Sequence, residues 1–301
     1  MGEAAKPGAL YQLDGERLIP TRLARGPWRV DTQHGGPMQG LLARAIELHP
    51  SAKAMQIVRF TCDLWSAAPF APVTLRVRTL REGKSAEWLE AELCAGDVVA
   101  ARASALRLRV EDVTAPPDRV PPATGALEDA SPAVRWLGAP AEGEGPSDFV
   151  NAIELRPVDG FVRPAAWLRL RVPLVAGERT SPFVSAATLA DMVYSLPIVR
   201  AVQRGAQFAP QSFVAINVDT SLQLNRAPVG EWIGLDAEVS YGPDGAGIGR
   251  ASLADVDGAL GFAQQSLLLR DAAAHTEWEE DEERQARAHA PRAARNRVTP
   301  P

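Results

Sequence analysis

Asp191 is the first residue that needs a chemical explanation. It stands in SPFVSAATLADMVYSLPIVRAVQ, residues 181–203, an apolar and small-residue stretch whose Ser-Pro start reads as a helix N-cap followed by proline at the first helical position. A helix this apolar belongs in a core. A lone carboxylate there is costly unless it is paired or hydrogen-bonded. From these residues alone Asp191 is either a structural acid satisfied by a neighbouring strand or a general base. A second candidate is His34-Gly35-Gly36-Pro37, which leads into a helix expected over 37–48. The glycine pair leaves backbone N–H groups open at a helix N-terminus, with no side chain to block close approach. A tight strand-to-helix turn would need the same residues. His34 suits either substrate contact or a hydrogen-bonded helix start. Gln265 alternates with Ala263 and Leu267, which puts its carboxamide on the apolar face of a strand. Asn217 shares a face with Asp219, Ser221 and Gln223, a face that reads as solvated, with Asp219 as a runner-up acid.

The composition excludes several classes of function. The chain has 301 residues, 46% hydrophobic and 23% charged, with a net charge of −5 and no basic block interleaved with aromatics. That is globular and argues against a general nucleic-acid partner. No apolar run is long enough to span a bilayer, and residues 1–20 hold no apolar signal region, so a cytoplasmic location is expected. Cys62 and Cys94 make neither a disulfide framework nor a metal site; no metal or other cofactor is expected. No G-x-S-x-G elbow is present, and the glycines at 245–249 precede a strand, which makes them a hairpin and not a nucleotide fingerprint.

The elements that would position these residues occur twice. Residues 10–30 read as one or two strands with a turn at Asp14-Gly15, then comes the first helix, then strands over 55–65, 72–82, 86–94 and 98–110. After a Pro-, Gly- and Ala-rich stretch, with local order expected at 134–137, strands over 149–157 and 167–175 precede the 181–203 helix. Strands over 212–225, 232–241, 248–255 and 260–270 follow. GDVVAARASALRLR (96–109) aligns with DGALGFAQQSLLLR (257–270), setting Ser104 opposite Gln265, and the helices align with Ala43 opposite Asp191. The expected division is an N-terminal unit 1–110, a linker 111–148, a C-terminal unit 149–271 and a charged, disordered tail 272–301. A site between the two halves would be complete on one side only.

This arrangement resembles the hotdog fold in its tandem form: an α+β double hotdog, each half a long helix wrapped by a curved antiparallel sheet. It is similar to the double-hotdog acyl-CoA thioesterases, the TesB-like or thioesterase II family. The resemblance rests on Ala186-Ala187-Thr188-Leu189-Ala190-Asp191, on the strand Ala215 to Pro228 with its basic-Pro end, on Gln264 to Arg270, and on His34-Gly35-Gly36-Pro37. It implies a catalytic set of an acid, a Ser/Thr-type hydroxyl and a glutamine that position a water; these fall on Asp191, Asn217 and Gln265, with Asn217 departing from the hydroxyl. His34, Gly35 and Gly36 are then expected to bind substrate, the glycine N–H groups polarising the thioester oxygen. The implied reaction is hydrolysis of an acyl-CoA or related acyl thioester by Asp-activated water, as in fatty acid metabolism. The alternative is a non-catalytic acyl-CoA or acyl-carrier binding protein of the same fold. An enoyl-CoA hydratase ranks below both, because that chemistry wants a histidine near the acid and none follows Asp191. A homodimer is the preferred assembly, with a monomer open because the tandem already supplies the pairing.

Overall fold

From Gly35 to Leu48 the chain forms α1, with His34 at its N-cap and Met38, Leu41, Leu42 and Ile46 on the buried face. The helix starts two residues before the expected Pro37, so both glycines belong to its first turn. Burying a side chain such as Leu41 or Ile46 stabilises the fold by about 1.5–3 kcal/mol. In the computed structural model, described over residues 8–26, 31–113, 125–134, 149–205 and 213–271, a hairpin precedes this helix. It pairs β1 (Tyr11–Asp14) with β2 (Arg17–Pro20), and Gly15 supplies the positive φ of the turn. The expected tail 272–301 lies outside the described residues, as do 114–124 and 135–148 of the expected linker and 27–30 of the first strand region. Within the expected linker, Val134 bridges to Leu155.

After α1 come β3 (Met55–Leu64), β4 (Thr74–Glu82), β5 (Ala86–Ala95) and β6 (Val98–Arg109). The second half supplies β7 (Ile153–Pro157), β8 (Ala165–Leu170), α2 (Pro182–Leu189), α3 (Ser195–Gln203), β9 (Phe213–Asn217), β10 (Asp219–Leu224), β11 (Ile233–Tyr241), β12 (Ala246–Asp255) and β13 (Gly258–Asp271). All eleven strands from β3 onward form one antiparallel sheet in the order β4-β5-β6-β3-β10-β13-β12-β11-β8-β7, with β9 also paired to β13. The two half-sheets meet edge to edge where β3 pairs with β10, from Asp63 opposite Asp219 to Arg59 opposite Gln223. Each half therefore closes the open edge of the other. Beneath this seam α1 packs on α2. A Cβ on Gly36 would lie 2.9 Å from the Thr188 carbonyl and 2.8 Å from the Phe149 ring. Glycine is what allows the two helix backbones to come this close. No single helix among the described residues is long and apolar enough to cross a membrane.

The strand expected over 149–157 begins only at Ile153, after a 3₁₀ turn over Phe149–Ala152, and the one expected over 167–175 is Ala165–Leu170. Two further elements are divided. The 181–203 segment is not one helix: α2 ends at Leu189, a 3₁₀ turn covers Ala190–Met192, and the axis bends by 57° before α3. Pro197 is the cause, since in a continuous helix its ring would clash with the Val193 carbonyl and it has no N–H to offer; in the first turn of α3 neither matters. The strand expected over 212–225 is likewise divided at Val218 into β9 and β10. Both interruptions fall at candidate residues.

Candidate active site

Asp191 lies on the 3₁₀ turn at the end of α2, facing the first turn of α1, and is 5% exposed. Its carboxylate is held from both halves of the chain. The Gly36 N–H donates to Oδ2 at 2.9 Å, and the Gln39 carboxamide donates to Oδ1 at 3.2 Å. Asn217 Nδ2 also donates to Oδ1, and His34 Nδ1 lies 2.9 Å from Oδ2. Among the described residues no Arg or Lys forms an ion pair with it. Neutral donors satisfy this buried charge, which removes the unpaired-anion penalty without the neutralisation a guanidinium would bring.

Asn217 reaches Asp191 because the sheet carries a β-bulge. From Asn217 opposite Leu267 to Ser221 opposite Gln264, the β9–β10 side advances four residues while β13 advances three. The extra residue resets the alternation, so Asn217 and Thr220 both face the helices while Asp219 and Ser221 face away. The solvated face expected for Asn217 is therefore not where its side chain lies. Thr220 is fully buried, and its hydroxyl accepts hydrogen bonds from Gln39 Nε2 at 3.0 Å and from Gln265 Nε2 at 3.3 Å. Thr220 and Gln39 are the two polar residues of this cluster that the sequence reading missed. Unbroken alternation places Thr220 opposite to Asn217, although Thr220 brings a hydroxyl to the cluster and Asn217 does not. Gln39 had a signal: it is a carboxamide inside the apolar run of α1, one turn past the glycine pair.

Gln265 is buried, as its alternation indicated, but it meets the backbone of the Asp191 turn and not the carboxylate. Its Oε1 accepts from the Tyr194 N–H at 3.0 Å, and its Nε2 donates to the Asp191 carbonyl at 3.2 Å. These are backbone groups that the bend between α2 and α3 leaves without helical partners. Gln265 thus fixes the turn that carries Asp191. The glycine pair divides its work: the Gly36 N–H is taken by Asp191, while the Gly35 N–H has no hydrogen bond among the described residues. Gln39 Oε1 is buried with no hydrogen-bond partner among the described residues, an open acceptor beside the carboxylate. Cys62 is no competing nucleophile, because burial, followed by the charges of Asp63, Asp191 and Asp219, pushes its thiol well above the ordinary range.

The opposite end of the helix pair is held by charged side chains, beside a cavity of about 420 Å³ lined by His49, Arg107 and Phe183. There the Arg44 guanidinium grips Glu178 through two hydrogen bonds of 2.6 Å, and Arg107 caps the end of α1 by donating to the His49 carbonyl at 2.9 Å. The cavity left between Arg44, Leu174, Thr180 and Val184 holds about 60 Å³.

No curated protein matches this chain. Among solved structures, a hotdog-fold protein of unknown function from Alicyclobacillus acidocaldarius superposes with a TM-score of 0.64 at 15% identity, covering 90% of this chain and 99% of the other. A thioesterase candidate from Novosphingobium aromaticivorans gives 0.63 at 21% identity over 87% and 98%. The acyl-CoA thioesterase II TesB2 of Mycobacterium marinum gives 0.55 at 15% over 86% and 94%. At such identities the likeness shows a shared fold, the double hotdog. Residues 24–108 match the acyl-CoA thioesterase N-terminal domain and residues 117–269 the acyl-CoA thioesterase C-terminal domain. With both domains matched in order over most of its length, the chain belongs to the acyl-CoA thioesterase family.

Proposed function

We propose that the chain hydrolyses acyl-CoA thioesters, with Asp191 as the anion that drives deprotonation of the attacking water. The observation that carries this reading is a buried carboxylate held by neutral donors from both halves, Gly36 and Gln39 on one side and Asn217 on the other. Asn217 orients the carboxylate, while Thr220 and Gln265 hold the turn and the amides around it. Gln39 Oε1 offers an acceptor for one hydrogen of the water. The Gly35 N–H donates to the thioester oxygen as charge develops there; one such donor is worth about 2.7–4 kcal/mol of barrier. One chain completes one site, so the chemistry needs no second copy.

The test is thiol release from short-, medium- and long-chain acyl-CoAs by the wild type and by Asp191→Asn. Release that depends on Asp191 is the expected result. No release at any chain length would leave the acyl-thioester binding protein as the reading to pursue. A second catalytic reading draws on one contact: His34, from the other half, stands beside Asp191 and supplies the acid–histidine pair that addition of water to an enoyl thioester requires. Loss of the conjugated thioester's ultraviolet absorbance, without thiol release, would favour it.

A further inference from the structure

We propose that His34 carries the proton of the attacking water, and that Asp191 acts through its ring. This rests on the thioester-hydrolysis reading and assigns the proton's path within it. A carboxylate has about four acceptor positions. On Asp191, Oδ1 receives Gln39 and Asn217, and Oδ2 receives the Gly36 N–H and His34. No position is left for a water, and the Asp191 side chain is 2% exposed against 12% for His34. His34 is the member of the pair that incoming molecules can touch.

The geometry also fixes the tautomer. His34 Nδ1 lies 2.9 Å from a carboxylate oxygen and 3.3 Å from the Gly36 nitrogen. An unprotonated Nδ1 would set two lone pairs against each other at the shorter contact, so Nδ1 carries the hydrogen and donates it to Asp191. The Gly36 N–H then belongs to Asp191 Oδ2, its nearer acceptor at 2.9 Å, although it also lies within reach of Nδ1. With Nδ1 protonated the neutral ring keeps its lone pair on Nε2, which has no partner among the described residues. The Phe149 ring, 4.7 Å away and tilted by 51°, holds the plane of the imidazole. The next residue in the chain is Gly35, so the proton acceptor and the donor to the thioester oxygen are consecutive.

In the step this assigns, Nε2 takes a proton from water as the water oxygen bonds to the thioester carbonyl carbon and the π pair moves to the carbonyl oxygen. The pair returns, the C–S bond breaks with its electrons on sulfur, and the thiolate takes the proton from Nε2. The products are a carboxylic acid and a free thiol, and His34 is regenerated. Asp191 holds Nδ1–H throughout and offsets the charge on the imidazolium.

Two measurements on the full chain test this. His34→Asn keeps an N–H donor for Asp191 but has no base; it should lower kcat about 100- to 10,000-fold with KM nearly unchanged. In His34→Ala, added imidazole should restore part of the lost rate. A His34→Asn turnover within about tenfold of wild type, whatever the ring state, would overturn the proton-carrying role. The second measurement, nitrogen NMR of the histidine rings, needs no activity and no variant that might misfold, and with four histidines in the chain the spectrum is sparse. The Nδ1–H tautomer at His34 is expected; an Nε2–H tautomer in the wild type would overturn the pair. If the wild type releases no thiol from any acyl-CoA, it is the hydrolase reading that fails, and the ring spectrum still decides the pair.

Discussion

Asp191 and Asp255 are both buried carboxylates of the second half, at 5% and 2% exposure, and the chain treats them in opposite ways. Asp255, at the end of β12, is gripped by the Arg226 guanidinium at 2.5 and 2.7 Å and accepts the Val229 and Asp257 N–H groups at 2.8 Å each. Among the described residues all its partners come from its own half, and one is a cation. Among the described residues Asp191 has no such cation, and Gly36, Gln39 and His34 reach it from the other half. A bidentate guanidinium neutralises a carboxylate and closes the corner between β10 and β12. Neutral donors leave a carboxylate without that neutralisation. The basic residue before the Ala227-Pro228 end of the β10 region, part of the family resemblance, thus has a structural task.

The sharpest way to break this contrast is to neutralise each acid in turn. Asp191→Asn should lower kcat for thioester hydrolysis by about 100- to 10,000-fold at a temperature where the variant remains folded. Asp255→Asn should leave kcat within about twofold while removing about 1.5–3 kcal/mol of stability, read from the urea midpoint. Equal losses of turnover in both variants would sink the distinction. Thr220→Val comes next. It keeps the volume of the side chain but takes the acceptor away from Gln39 and Gln265, which should cost about 1–3 kcal/mol and lower kcat with little change in KM. A fully stable variant would mean that those amides find other partners.

Much of this arrangement was legible in the sequence. Period-two patterns gave the strands of both halves, and the duplication made Asp191 stand out against Ala43. Alternation also placed Gln265 inward, where it is 2% exposed. What stayed hidden depends on breaks in regularity and on distance along the chain. One bulge at Val218 turned Asn217 inward and brought Thr220 with it, and no local residue pattern announces a bulge. The bend before Pro197 gave Gln265 backbone groups to bind, a use that straight-helix reasoning cannot supply. The histidine sought after Asp191 came instead from position 34, and its neighbour Gln39 meets the acid across 152 residues of sequence. Only the packing of α1 on α2 joins them.

Acid sharpens the comparison by a smaller amount. Burial alone would raise the Asp255 carboxyl, but the hydrogen bonds from Arg226, Val229 and Asp257 and the Arg226 charge outweigh it and hold the group below the usual carboxylate range. Its contribution is therefore fully present above the ordinary value of about 3.9 and is lost as pH falls through the depressed folded value. Asp63 shifts upward, first from burial and then from Asp219 across the strand pair, so total stability mixes both signs. The difference between wild type and Asp255→Asn isolates the term: it should hold constant from neutral pH down to about 4 and shrink below that. A difference that already shrinks near pH 6 would contradict a depressed carboxyl.

The smallest expected effect belongs to Arg226→Lys. Lysine keeps the charge but replaces a planar fork by a single nitrogen, so it cannot reproduce both bonds to Asp255 together with the one to the Gly258 carbonyl at 2.9 Å. Losing one or two of these should cost about 0.5–1.5 kcal/mol each in urea unfolding. Thiol release should not change, because the ion pair closes one end of β10 while Thr220 sits at the other, with the β3 and β13 ladders holding the strand between them. A fall in kcat alongside the fall in stability would show that β10 slides as a unit. The Arg226 corner would then be part of what sets the bulge at Val218, and the two carboxylates would belong to one device instead of two.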